Sequence, residues 1–217
     1  MILSANEIAD LLKSGESEDD PLVVAPQPDL EDLRTKADAS LDLRLGCWFA
    51  VLRRARAPVL DVGEKVAGAV SETALSKMHY VRFGDKFILH PSSFVLGITL
   101  EWVRLPKNIA GYITSRSSWG RRGLIIATAT GVHPRFTGCL TLELSNAGEI
   151  PVALYPGMTV CQIFLHEVKD PSEGGAVSLS AGQRKPSLVP IELDRIAQAI
   201  AEISEPIPQK SGQTASI

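Results

Sequence analysis

Between Leu140 and Ser145 the chain alternates without a break: Leu140, Leu142 and Leu144 are apolar, and Thr141, Glu143 and Ser145 are polar. Successive side chains of a β-strand point to opposite faces, so this run is a half-buried strand with its leucines on one side. One carboxylate, Glu143, lies on the other side. On the residues alone Glu143 suits two places. It can face solvent, or it can sit in a pocket that lifts its pKa from about 4.3 towards neutrality and lets it move protons near pH 7.

The same period returns along the chain. Leu41, Leu43 and Leu45 alternate with Asp42 and Arg44, and CWFAVL follows at once. Phe87 to His90, Phe94 to Leu105 and Ile109 to Thr114 read as further strands, broken by Pro91 and by Pro106-Lys107-Asn108. The turn Pro156-Gly157-Met158 precedes a last core strand, Thr159 to His166. Many short strands with few helical runs between them predict a mainly β, jelly-roll-like fold with short peripheral helices.

The helices are brief. Ser4 and Glu7 form a capping box, with Ile8, Leu11 and Leu12 on one face and Gly15 as the stop. Residues 16–38 are acidic, carry Pro21, Pro26 and Pro28, and read as a surface excursion with a short helix over Asp29 to Lys36. Residues 55–80 give no assignment. Residues 168–190 are polar and rich in Gly and Ser, the composition of a mobile lid. Beyond the domain of residues 1–190, Ile191 to Ile203 has the apolar spacing of an amphipathic helix, and a frayed tail ends the chain.

At 217 residues the chain fits one domain with a sizeable core. It has no run of 18 apolar residues and no signal-peptide pattern, so a soluble, cytoplasmic protein is expected, with neither a membrane nor a nucleic-acid polymer as partner. Cys47, Cys139 and Cys161 are odd in number and far apart, which suits reduced thiols. The net charge is -3, yet Arg116, Arg121 and Arg122 lie within seven residues, with Ser117, Ser118 and Gly120 among them. Guanidinium forks and hydroxyls suit phosphate oxygens. A solvated basic turn suits the same residues.

These stretches together resemble a known family. SRSSWGRRGL, VHPRFTGCLTLELSN and LYPGM, with MILSANEI at the start and ASLDLRLG at Ala39 to Gly46, are similar to the dCTP deaminase/dUTPase family, nearer its dCTP deaminase branch. The resemblance covers roughly residues 1–12 and 39–190. It implies a distorted β-barrel of the dUTPase-like type and hydrolytic deamination of dCTP to dUTP and ammonia. It implies a homotrimer with sites shared between subunits, binding deoxycytidine and deoxyuridine nucleotides. Glu143 would be the general base, with Ser117 and Arg121 of an adjacent subunit orienting the water and stabilising charge. Arg116, Ser118 and Gln183 would hold the triphosphate, whose oxygens would carry Mg2+. Thr141 and the turn from Thr128 to Val132 would read the base, and Arg122, His133 and Leu142 complete the nucleotide-binding set. No zinc is expected, because the chain lacks Cys-x-x-Cys and none of His79, His90, His133 and His166 opens a His-x-Glu segment.

The chain also departs from the family. His133 stands where the dUTPase branch has its water-activating Asp. Gly131 stands where the deaminase branch has an Arg, in a turn one residue shorter. Leu179-Ser180 replaces a Lys-Tyr pair before the Gln183 segment. Two alternatives therefore stand beside the deaminase. One is a dUTPase or bifunctional enzyme giving dUMP and pyrophosphate, and the other a nucleotide-binding module without turnover.

Overall fold

A computed structural model describes residues 1–15, 19–36, 38–52, 76–127, 131–171, 182–188 and 195–196. Among these residues the backbone forms twelve strands: β1 (Val23–Ala25), β2 (Leu41–Arg44), β3 (Trp48–Leu52), β4 (Ser76–Tyr80), β5 (Phe87–Leu89), β6 (Phe94–Arg104), β7 (Ile109–Ser115), β8 (Leu124–Ile126), β9 (Gly131–Val132), β10 (Thr137–Asn146), β11 (Val152–Leu154) and β12 (Thr159–Glu167). Among the described residues, helices with defined bounds are α1 (Ala5–Ser14), α2 (Leu30–Lys36) and α3 (Ser117–Gly120).

The strands form three antiparallel sheets. One runs β4-β3-β6-β10-β8, with β1 also paired to β6. A second runs β2-β12-β7-β9, and β5 pairs with β11. The sheets are open and distorted rather than closed into a barrel. Their inward faces share one core, to which β2 gives Leu41 and Leu43, with Leu45 just beyond it, β10 gives Leu142 and Leu144, and β12 gives Ile163 and Leu165. Burial alternates along the second half of β10 as its sequence alternates. Among the described residues no helix is long and apolar enough to cross a membrane.

α1 begins as its capping box requires: the Glu7 amide donates to Ser4 Oγ at 3.3 Å, and the Ser4 amide donates to Glu7 Oε2 at 2.7 Å. The described part of residues 16–38, expected as a surface excursion, also enters the core. Leu22, Val24 and Leu33 are buried, and β1 pairs Val24 with Val103. Prolines and acidic residues hide this three-residue strand, but its apolar side chains have a core to enter. The segment expected as a lid is docked where it is described. Gly182 N donates to the Thr137 carbonyl at 2.6 Å, and Cys139 N donates to the Gln183 carbonyl at 2.9 Å. Lys185 Nζ lies 4.2 Å above the Trp48 ring, a cation–π contact. The helix expected over 191–203 lies outside the described residues except for Arg195 and Ile196, and the tail lies wholly outside.

Pairing between β6 and β10 is irregular at one place. Cys139 pairs with Trp102 and Thr141 with Ile98, so Leu140 alone stands opposite Thr99, Leu100 and Glu101. Two extra residues on β6 are an even number, and each strand keeps its inward and outward faces across the bulge.

Candidate active site

Glu143 sits in the middle of β10 and is half-buried. Leu142 and Leu144 on either side are both 0% exposed, which anchors the strand and turns Glu143 to the opposite face. Glu143 pairs with Leu96 of β6 on one edge, and its carbonyl accepts from the Ala127 amide at 2.9 Å on the other. Thr141 and Ser145 share its face and are half-buried too. This carboxylate is held by a ladder on both sides rather than by a loop.

α3 crosses from the four-stranded sheet to the six-stranded one, since β7 precedes it and β8 follows. Three bonds tie it down. Arg116 N donates to the Val160 carbonyl at 3.3 Å, Trp119 Nε1 donates to the Thr159 carbonyl at 2.8 Å, and the Arg116 guanidinium donates to Asp42 of β2. At its end Gly123 adopts φ 85°, and the Ala147 amide donates to the Gly123 carbonyl at 2.8 Å. Sequence reading left this stretch as a cluster or a basic turn, because four residues are too few to show helical periodicity.

The arginines of the cluster differ in use. Arg116 is engaged by Asp42, and Arg122 Nη1, just past α3, donates to the Ser118 carbonyl at 2.7 Å. Among the described residues, the Arg121 guanidinium and the hydroxyls of Ser117 and Ser118 have no bonding partner, and all three side chains are exposed.

The remaining expected residues are placed as follows. Val132 is 5% exposed and pairs with Gly111, so it offers only its main chain. His133 is exposed at the start of a turn in which its carbonyl accepts from the Phe136 amide at 3.2 Å. Leu142 is a core side chain and likewise offers only backbone. Gln183 lies at the Thr137–Cys139 end of β10, four residues or about 13 Å from Glu143 along the strand. Its Oε1 is buried without a hydrogen-bond partner among the described residues. Thr128 lies outside the described residues.

Sequence reading missed Asp42, which pairs with Arg116 across 74 positions of chain. It also missed Glu101, which is 2% exposed and accepts from Arg44 N at 2.8 Å and Arg44 Nε at 2.6 Å. The one signal for Glu101 was a carboxylate inside an otherwise apolar strand. Among the described residues no three His, Cys, Asp or Glu side chains stand together as metal ligands.

A family model described as dCTP deaminase-like matches residues 2–168. The chain is 42% identical over 176 residues to a dCTP deaminase of Halorubrum lacusprofundi, covering 80% of each. It is 38% identical over 196 residues to a protein of Corynebacterium kroppenstedtii named dCTP deaminase, dUMP-forming, covering 86% of this chain and 95% of that one. The crystal structure of 2'-deoxycytidine 5'-triphosphate deaminase from Agrobacterium tumefaciens matches with a TM-score of 0.55 at 20% identity over 77% of this chain, a likeness of fold. This chain spans 46% of that longer one. Since the family model runs from the Ile2 bridge with His166 through every strand to β12, the chain belongs to the dCTP deaminase-like family.

Proposed function

We propose that the chain is a hydrolase that deaminates dCTP to dUTP and ammonia without a protein-bound zinc. The observation that carries this is Glu143, a carboxylate fixed at mid-strand between two paired neighbours. The chemistry asked of it is modest. Water adds through its oxygen to C4 of the cytosine ring while Glu143 takes its proton and passes it to N3. The second water proton then travels by Glu143 to N4, the C4–N4 bond breaks, and ammonia leaves. Water is the one co-reactant, and no electron acceptor is needed.

Ser117 and Arg121 of a second copy of the chain orient that water and stabilise charge on the ring, in a homotrimer with shared sites. Their exposure and lack of partners among the described residues support this reading. Arg116, Ser118, Arg122 and Gln183 hold the triphosphate, and Thr141 with the main chain of Val132 and Leu142 reads the base. Mg2+ would arrive on the phosphate oxygens and would offset triphosphate charge. A cluster of hydroxyls and guanidiniums fits a metal that arrives on its nucleotide, because hard Mg2+ takes oxygen ligands and keeps substrate phosphates among them.

A second reading, dUMP and pyrophosphate as products, is favoured by relatives named dUMP-forming at 38% and 39% identity. Incubation with dCTP and Mg2+, followed by chromatography, separates the two. dUTP with ammonia supports the first reading, dUMP with pyrophosphate the second, and unchanged dCTP refutes both. Glu143→Gln should abolish ammonia release while nucleotide affinity stays within a few-fold, because shape is kept and the base is lost.

A further inference from the structure

β10 reaches Glu143 only after passing the bulge at Leu140. Bulges leave backbone groups unpaired and re-aim the side chains beyond them. Here one side chain meets those groups. The Thr99 hydroxyl accepts from the Leu140 amide at 2.9 Å and donates to the Glu101 carbonyl at 2.8 Å. Thr99 is 1% exposed and Leu140 6%, so losing that hydroxyl leaves a buried amide without its acceptor.

The bulge also reaches the second sheet. The Glu101 carboxylate takes both Arg44 N and Arg44 Nε, and Arg44 belongs to β2. Two residues earlier on that strand, Asp42 holds Arg116, the residue before Ser117. One short segment of β6 thus bonds to the strand that carries Glu143 and to the strand that carries the α3 anchor.

Resting on the reading of Glu143 as the base, we infer that Thr99 and Glu101 are positioning residues for the reaction. The Thr99 hydroxyl sets where β10 resumes after the bulge, and so where the Glu143 carboxylate stands three residues on. Glu101, through Arg44, keeps β2 and the Arg116 end of α3 aligned with it. Neither residue touches the substrate.

Thr99→Val keeps the side-chain shape and removes the hydroxyl, whereas Thr99→Ser keeps the hydroxyl. The full chain is assayed with dCTP and Mg2+, and backbone amide exchange is followed along β10 and β12. In Thr99→Val, exchange from Leu140 to Glu143 should quicken by about tenfold or more while β12 keeps its protection. kcat should fall roughly 10- to 100-fold with KM within about threefold, as misplacement of a reacting group predicts. Thr99→Ser should restore both. Unchanged exchange at Leu140–Glu143, or a serine variant as impaired as the valine one, overturns the inference. Should Thr99→Val fail to fold, Glu101→Gln replaces it, and wild-type kcat with wild-type exchange there overturns it equally. Wild-type protein that leaves dCTP intact refutes the deaminase reading instead, and the exchange data still decide whether Thr99 sets the strand.

Discussion

The Arg116 guanidinium donates to the Asp42 carboxylate, joining the residue before α3 to the outward face of β2. The two side chains are 39% and 42% exposed, and surface pairs of this kind contribute at most about 1 kcal/mol to stability. The pair therefore matters for where Arg116 points. Asp42→Asn should leave thermal unfolding almost unchanged. In the Glu143→Gln background, which should hold substrate without turnover, it should weaken dCTP–Mg2+ binding roughly tenfold by calorimetry, the loss of one oriented charge-assisted contact. Tighter binding would show that Asp42 competes with phosphate for Arg116.

A second constraint on α3 lies at its other end. Gly123 has φ 85°, and a Cβ there would meet Gly148 N at 2.7 Å and Gly148 Cα at 2.8 Å. Those are backbone atoms of a turn that cannot yield cheaply, because Asn146 staples it. Asn146 is 0% exposed, donates to the carbonyls of Leu89 at 3.0 Å and Ile150 at 2.9 Å, and accepts from the Gly148 amide at 2.9 Å. Gly123→Ala should cost on the order of 2–3 kcal/mol in urea unfolding, from the left-handed φ and the clash together. A wild-type midpoint would mean that the two turns move apart freely.

The alternation from Leu140 to Ser145 was enough to read β10, its buried leucines and the face of Glu143, because period-2 burial is local information. The α1 cap was legible for the same reason, with Ser4 and Glu7 three positions apart. What stayed hidden is non-local. Asp42 meets Arg116 from 74 positions away, and Gln183 reaches β10 through main-chain bonds that no side-chain pattern records. The bulge opposite Leu140 was invisible because two extra residues leave the alternation of β6 and β10 intact. β1 is only three residues long between prolines, too short for any period to show.

Cys161 gives the chain a pH signature. It is fully buried on β12, and burial pushes its thiol from an ordinary 9.0 up to about 12, with the nearby Glu101 and Asp42 carboxylates adding to the rise. The folded state thus binds this proton more tightly than the unfolded chain. Its contribution to stability is full below about pH 9 and is lost as pH climbs from there towards 12, since the unfolded thiol ionises first. The urea midpoint should therefore fall more between pH 9 and 10.5 (both about) in wild type than in Cys161→Ala. Equal slopes would contradict the buried-thiol assignment.

Sharing of the site between subunits makes the sharpest demand. Arg121 is exposed and has no bonding partner among the described residues, so Arg121→Ala should fold and melt as wild type does. If its guanidinium serves a neighbour's Glu143, the same change should remove most dCTP turnover. Neither Arg121→Ala nor Glu143→Gln alone would then be active. Mixing the two variants, unfolding them together and refolding should bring activity back. A site in the mixed assembly can take Glu143 from the first variant and Arg121 from the second, and both groups are then intact. The recovered rate should approach a fixed fraction of wild type, set by random assembly, and rise and fall with the mixing ratio. Were both groups drawn from one chain, every site would lack one of them and mixing would recover nothing.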